Sequence, residues 1–389
     1  MPLIPIEKAV GHTLARPLLT ADGRLMLHAN VVLTPADVSA VQRRLGLRLV
    51  DVRSDLLPGL AVEDVDIDDE VRADATRAIA QTVGAIMTRS RATGPAPLLA
   101  AASKIVDAAL SLDGAVVALV TMRAQDDSLL QHSVNTAVHS VIMGLGRRLR
   151  REALVTVCMG AMLHDLGKAL VPPAVLAKPG RLTAEELSQV QAHPQFGRDL
   201  IRRDFAQFPE SVGDIAHMHH ERLDGTGYPH GLAADEIPLV ARICTIADVF
   251  DALCAVRPYK PGWAPHRAAA YLRRHPEWFD AGLVELFLRQ VAIYPSGSLV
   301  ATRRQNIGIV IGQNEGNSAA PVVLVLADRH LRPVPAHVVD LARTPEEMPL
   351  SHGVRHLPRD MLGRIDRGAA RAVAEAYLAG RQRARGGLG

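Results

Sequence analysis

The chain has 389 residues, enough for two or three folded units, and 48% of them are hydrophobic, enough for a sizeable core. Aromatic residues are only 3%, so that core must rest on Ala, Leu and Val, a mixture that favours helices. The net charge is +3, and apart from Arg147, Arg148, Arg150 and Arg151 the basic residues are dispersed, which argues against the long basic, aromatic-studded groove of a nucleic-acid polymer binder.

Residues 1–60 read as a small N-terminal α+β unit. Leu25, Leu27, Val31 and Leu33 lie around turn signals at Asp22-Gly23 and Ala29-Asn30, predicting short strands. Thr34-Pro35 predicts a helix start, with Thr34 as N-cap and Pro35 in the first helical position. The helix should stop near Gly46, with an extended segment over 47–52 and a closing turn at Pro58-Gly59. No phosphoacceptor aspartate in a receiver-like setting and no haem or flavin signal stands out there.

Residues 61–119 read as a helical connector. An acidic stretch over 61–70 precedes a helix over 71–91, marked by Ile79, Val83, Ile86 and Met87 at helical spacing. Gly94-Pro95 should break it, a second helix should run over 97–112, and Asp113-Gly114 should turn the chain. The apolar residues of these helices suit either a homodimer contact or packing on the following unit.

Residues 120–294 are predicted to be mostly helical and hold the chemistry-bearing motifs. Beyond Tyr294-Pro295 and Gly297, the stretches 298–311 and 322–327 are rich in Val and Ile, predicting a small β unit over 295–350. Residues 351–389 should form a terminal helix and an Arg/Gly tail. The expected fold is thus mainly α, a helical bundle flanked by a small N-terminal α+β unit and a small C-terminal β unit.

Apolar runs such as 114–122 are too short to span a bilayer, and Met1-Pro2-Leu3-Ile4-Pro5 lacks the basic start of a signal peptide. A cytoplasmic protein that neither spans nor anchors in a membrane is expected. Cys158, Cys244 and Cys254 lie far apart in apolar surroundings without CxxC spacing, which fits buried thiols in a reducing compartment.

The most informative segment runs over 217–229, His-Met-His-His-Glu-Arg-Leu-Asp-Gly-Thr-Gly-Tyr-Pro. It sets adjacent imidazoles, His219 and His220, before a glycine-rich turn. A second cluster, His164-Asp165-Leu166-Gly167-Lys168, stands upstream. Imidazole and carboxylate are common ligands of divalent transition metals. On a helix over 152–165 successive side chains differ by about 100°, so His164 and Asp165 should diverge, with Gly167 permitting a sharp exit and Lys168 returning its ammonium to the site.

His164-Asp165 resembles the doublet of the HD superfamily of metal-dependent phosphohydrolases, and the segment 219–229 resembles the signature of its HD-GYP group. Further blocks of that group occur in order: His132-Ser133-Val134-Asn135, Lys178-Pro179-Gly180-Arg181-Leu182-Thr183 before Glu186 and His193, Arg242-Ile243 before the run from Ala247 to Leu253, and Arg257-Pro258-Tyr259-Lys260. The resemblance covers about residues 120–290 and implies an HD-type bundle.

The resemblance implies metal ligands at His132, His164, Asp165, His193, His219, His220 and Asp248, with Asp165 bridging two divalent ions. Five imidazoles and two carboxylates suit iron or manganese better than magnesium or calcium. Some members hold a third metal through a glutamate one turn before the opening histidine. Here that position is Ser128, with Asp126 and Asp127 on other faces, so two ions are expected.

Asp165 and Lys168 are the expected catalytic residues, and Arg222, Gly227, Tyr228, Arg257 and Lys260 the expected substrate contacts. Arg257 and Lys260 are spaced to aim at phosphates, and Gly227 lets the chain turn without a Cβ clash. The group hydrolyses cyclic di-GMP to linear pGpG, in some members on to GMP, and lowers a bacterial second messenger; some relatives cleave a cyclic GMP-AMP dinucleotide.

The expected activity is therefore cyclic di-GMP phosphodiesterase, with a diguanylate cyclase or another signalling protein as a candidate partner and a homodimer as a candidate assembly. The competing reading is a silent cyclic-dinucleotide sensor or partner-binding regulator. A general mononucleotide phosphohydrolase is opposed by the Gly-Tyr-Pro loop.

Overall fold

The fold comes from a computed structural model that describes all residues except 1–2, 15–16, 21, 30, 48, 53–66, 89–93, 113–127, 179, 256–261, 345–364 and 387–389. The N-terminal unit pairs β1 (Leu3–Pro5) with β4 (Leu49–Asp51), and β2 (Leu18–Leu19) with β3 (Leu25–Leu27), both antiparallel. Between them lies α1 (Pro35–Leu45). Thr34 accepts from Asp37 N, Asp37 answers at Thr34 N, and Gly46 ends the helix at φ 61°. This is the cap chemistry that the sequence predicts.

The two helices after this unit are α2 (Asp69–Met87) and α3 (Ala96–Leu110). Ala75, Ile79, Leu98, Ile105 and Val106 share one core with Val134, Val138, Leu154 and Cys158. Of the two uses open to their apolar residues, the structure displays packing on the bundle. Ala73 on the same α2 also meets Leu19 of the N-terminal unit, and Ala29 N donates to Asp69 Oδ2 at 2.9 Å.

The central bundle is built on α4 (Ser128–Gly146) and α5 (Arg151–Leu163), followed by the short α6 (Pro173–Leu176), α7 (Ala184–Gln191), α8 (His193–Asp204), α9 (Glu210–Met218) and α10 (Leu239–Cys254). α11 (Pro265–Arg274) and α12 (Ala281–Gln290) close a second core around Phe250, Phe279 and Phe287. Among the described residues one helical stretch, Arg151–Leu170, is long and apolar enough to cross a membrane, but 72% of its apolar window is buried inside the protein. The three cysteines are buried free thiols.

The C-terminal sheet is antiparallel in the order β5 (Leu299–Ala301), β6 (Ile307–Gly312), β7 (Val322–Ala327), β8 (Pro333–Asp340). β6 and β7 are buried along their whole length because each sheet face has a cover. Ile309, Ile311 and Leu324 face Ala370 and Ala374 of α13 (Arg367–Gly386), while Val310, Val323 and Val325 pack with Ala320 and Leu341. The first part of the expected terminal helix and the turns at Pro58-Gly59 and Asp113-Gly114 lie outside the described residues.

Candidate metal centre

Helix ends build the site. His164 caps the C-terminus of α5, His193 follows α7, and His219 caps α9. Each turns its Nδ1 to the carbonyl three residues back: Ala161 O at 2.7 Å, Val190 O at 2.7 Å and Ala216 O at 2.9 Å. Carbonyls in a last helical turn are open to such donors. A carbonyl only accepts, so Nδ1 carries the proton and the Nε2 lone pair is left to face the other way.

Those Nε2 atoms converge on Asp165. Its Oδ1 lies 3.3 Å from His193 Nε2 and 3.8 Å from His219 Nε2, and its Oδ2 lies 3.4 Å from His164 Nε2. Asp248, from α10, places Oδ1 2.9 Å from His132 Nε2 and 3.9 Å from His164 Nε2, and Oδ2 3.9 Å from His220 Nδ1. Thr245, one turn earlier on α10, donates to the His219 carbonyl at 2.9 Å and ties the two elements together.

The expected divergence of His164 and Asp165 is thus corrected: the pair converges. The α-helix stops at Leu163, and Asp165 leaves helical geometry at φ −97°, ψ 6°, which swings its carboxylate back under the imidazole. The reason for Gly167 also differs from expectation. Its backbone is not left-handed; a Cβ there would overlap the His193 carbonyl oxygen and come within 2.5 Å of Gly197 N. The glycine lets the HD turn and α8 touch, which brings His193 to Asp165.

Lys168 returns as expected, its Nζ 2.6 Å from Asp165 Oδ2. Burial pushes the Asp165 carboxyl up, but Lys168 and His164 outweigh it and hold the group well below the usual carboxylate range. Burial and neighbouring imidazoles push His219 well down, and burial takes His220 to about 3. Burial also opposes charge on His132, yet hydrogen bonds to Asp248 and Asp251 raise it to about 10.

The donor set fits a divalent metal. Asp165, His193, His219 and His220 form one compact group, His132, His164 and Asp165 a second, and His164, His219 and Asp248 a third. His164 Nε2 and Asp165 Oδ1 are buried and, among the described residues, have no hydrogen-bond partner at bonding geometry. Buried polar atoms left so are costly unless something charged completes them. All seven residues named from the sequence meet here.

The residues expected to contact substrate lie in different settings. Tyr228 stacks on His220 with ring centroids 4.6 Å apart. A Cβ at Gly227 would lie 2.5 Å from Arg222 N and Glu221 Cα, so close backbone approach requires the glycine. The Arg222 guanidinium sits over the Trp278 ring at 4.1 Å and bonds Thr226 at 3.5 Å, with no bond to the histidine–aspartate cluster among the described residues. Arg257 and Lys260 lie outside the described residues, as do Asp126, Asp127 and the Ser128 side chain.

Three supporting carboxylate and amide groups were not singled out from sequence. Asp251 Oδ2 lies 2.8 Å from His132 Nδ1, and Asn135 Nδ2 donates to Asp251 Oδ1 at 3.0 Å. Their signal was present: each follows a ligand-type residue by three on a helix and so shares its face. Glu221, 1% exposed, accepts from His230 N at 2.8 Å and Leu232 N at 3.0 Å, clasping the loop that carries Gly227 and Tyr228.

Other residues take structural places. His139 packs edge-on against Phe250 and Phe287, and His217 pairs with His230 at 2.8 Å. Arg242 pairs with Asp280 at 3.3 Å and leaves Asp248 to the cluster.

Comparison with known proteins agrees with this geometry. The HD domain family matches residues 115–283. A cyclic di-GMP phosphodiesterase of Pseudomonas aeruginosa is 38% identical over 292 residues, covering 72% of this chain and 69% of that protein. The chain belongs to the HD-GYP family of phosphodiesterases. A 3'3'-cGAMP-specific phosphodiesterase of Vibrio cholerae is 42% identical over 130 residues, 32% of this chain and 24% of that one. Among solved structures, an HDG"Y"P protein from Bdellovibrio bacteriovorus covers 74% of this HD-GYP chain and 97% of its own, with TM-score 0.50 at 17% identity, a likeness of fold.

Proposed function

We propose that the chain hydrolyses cyclic di-GMP to linear pGpG or on to GMP, using two divalent ions of iron or manganese. The ligands in this reading are His132, His164, Asp165, His193, His219, His220 and Asp248. The observation that carries it is the overlap of donor groups: Asp165 belongs both to the His193–His219–His220 group and to the His132–His164 group, as a carboxylate shared by two ions would. When bound, such ions supply Lewis acidity at a phosphoryl oxygen and acidify water.

The chain's own residues would do the rest. Lys168, 2.6 Å from Asp165 Oδ2, would set a positive charge where a phosphoryl group approaches. Tyr228, stacked on His220, offers a ring face to a base, and Gly227 shapes the loop that presents it. Arg222, Arg257 and Lys260 would hold phosphates as fork-shaped and compact donors.

The substrate assignment is supported by the Pseudomonas relative's name, while the Vibrio relative's makes the cyclic GMP-AMP dinucleotide the competing substrate. The silent-sensor reading is disfavoured by the convergence of every expected ligand. A diguanylate cyclase partner and a homodimer belong to the same proposal.

Anaerobic loading with Fe(II) or Mn(II), followed by chromatography of products from cyclic di-GMP and from 3'3'-cGAMP, tests the reading. Release of pGpG or GMP from cyclic di-GMP at two metals per chain, lost in His164→Ala and Asp165→Ala, is expected. Tight binding without product would overturn it in favour of the sensor, and preferential cleavage of 3'3'-cGAMP would move the substrate.

A further inference from the structure

Arg72 is a large charged side chain, 2% exposed, on the helix α2 that precedes the matched HD domain. Its Nη1 donates to Asn135 Oδ1 at 3.2 Å, and its Nε to the Ile67 carbonyl at 3.3 Å. Asn135 Nδ2 then donates to Asp251 Oδ1 at 3.0 Å, and Asp251 Oδ2 meets His132 Nδ1 at 2.8 Å. A chain of four side chains therefore runs from α2, through α4 and α10, to a residue of the metal-ligand set.

That chain has a direction. An asparagine amide can face a neighbour with either end, and its oxygen and nitrogen are distinguished by their partners. Guanidinium offers donors and no acceptor. The Asn135 atom facing Arg72 must be the oxygen, so its NH2 must face Asp251. The Asp251 carboxylate is thereby held as an acceptor on both oxygens and accepts the hydrogen bond that His132 Nδ1–H donates. The Nε2 of His132 is left to point at Asp248 and Asp165, 2.9 and 3.9 Å away.

We propose that Arg72 is a positioning residue which, through Asn135 and Asp251, fixes the His132 proton on Nδ1 and so presents Nε2 to a metal. The inference rests on His132 being a metal ligand, as read above. Without Arg72 the Asn135 oxygen loses its donor, so the amide is no longer anchored against Asp251 and the carboxylate that orients His132 is held less firmly. Loss of a partner that orients a ligating imidazole typically costs about 10–100-fold in metal affinity. Arg72 acts two links away, so the lower end, about tenfold, is expected.

The position of Arg72 also places the N-terminal unit near this chain. Asp69, three residues before it, accepts from Ala29 N at 2.9 Å, and the Cβ position of Gly23 lies 2.7 Å from Arg77 N. The helix that holds the first donor is thus clamped by the unit that precedes the bundle.

The test uses the full chain, labelled with 15N-histidine and loaded with Zn(II) as a diamagnetic probe. Long-range proton–nitrogen spectra report the tautomer of His132, assigned by its loss in His132→Gln. In the wild type, a protonated Nδ1 and a metal-shifted Nε2 are expected. Arg72→Met should weaken the Nδ1–H signal and lower zinc affinity about tenfold, whereas Arg72→Lys, still a donor without an acceptor, should keep both within about threefold.

A wild-type His132 that binds zinc with Nδ1 unprotonated overturns the proposal, and so does a folded Arg72→Met with unchanged signal and affinity. Should Arg72→Met not fold, Arg72→Gln takes its place, because its amide offers an oxygen as well and no longer dictates direction. If the wild type takes up no zinc, the metal-centre reading itself falls, an outcome distinct from normal uptake that ignores Arg72.

Discussion

Lys168 Nζ lies 2.6 Å from Asp165 Oδ2, while the other oxygen of that carboxylate faces His193 and His219. One carboxylate thus meets an ammonium on one side and imidazole lone pairs on the other. Lys168 competes with any cation for Asp165, so removing it should not weaken metal uptake. Lys168→Met is expected to retain two metals per chain while turnover of cyclic di-GMP falls about 10²–10³-fold, the cost of losing one electrostatic donor to a transition state. Metal analysis beside steady-state kinetics checks this. Loss of metal in Lys168→Met would mean that the lysine organises Asp165 rather than the substrate.

Gly167 makes a sharper steric prediction. A Cβ at this position overlaps the His193 carbonyl, and backbone cannot move aside as a flexible side chain can. Gly167→Ala should push α8 away, carry His193 from Asp165, and cost about 1–3 kcal/mol of stability as overpacking does. Gly197→Ala on the facing helix is the control, since its nearest contact would be 3.4 Å from Gly167 N. Titration with Mn(II) should show weaker binding for the first variant and little change for the second. Equal affinities would refute the close-approach argument.

Much of this site was legible because its signals are local. Thr34, Asp37 and Gly46 announce a helix through cap chemistry that needs no tertiary partner. The seven ligand-type residues stand out through short motifs, and they do meet. What was not legible depends on distance in the chain. Arg72 carries no local mark, and its partner Asn135 lies 63 residues away. The guanidinium of Arg222 also rests over Trp278, 56 positions on, a contact that its motif does not announce. β8 lies inside the β unit expected over 295–350 but bears no strand signal of its own, since Pro333 and Pro335 speak against one; it is an edge strand, where missing N–H donors are tolerated.

Glu221 gives a prediction about the loop rather than the metals. Its carboxylate satisfies two backbone N–H groups, those of His230 and Leu232, from a nearly fully buried position. Glu221→Ala leaves both donors unmatched and should destabilise the protein by about 3 kcal/mol, while Glu221→Gln, which keeps an acceptor, should cost about 1 kcal/mol. The segment 222–233 should also become more sensitive to protease in the Ala variant. Denaturant unfolding and limited proteolysis measure the two effects. An Ala variant as stable as the Gln variant would show that the loop is held elsewhere.

His139 sets an acid limit on stability. It lies 4% exposed between Phe250 and Phe287, and burial lowers it from 6.5 to about 4. Between those values the unfolded chain takes up a proton that the folded chain refuses. Unfolding is therefore increasingly favoured as pH falls from about 6.5 to about 4, and stability returns as pH rises. The gap corresponds to about 3 kcal/mol at about 1.36 kcal/mol per pH unit. His217, His219 and His220 are lowered too and slope the same way, while His132, raised to about 10, slopes the other way above about 6.5, but those contributions are common to wild type and variant. Asp165 and Asp248 lose their contribution only as pH drops below the ordinary carboxylate value of 3.8, beneath this window. Urea unfolding of metal-free wild type and His139→Leu at pH 7, 6 and 5 should give converging curves, with the variant losing less stability towards acid. Parallel curves would place the acid sensitivity in the histidine cluster and remove His139 from the account.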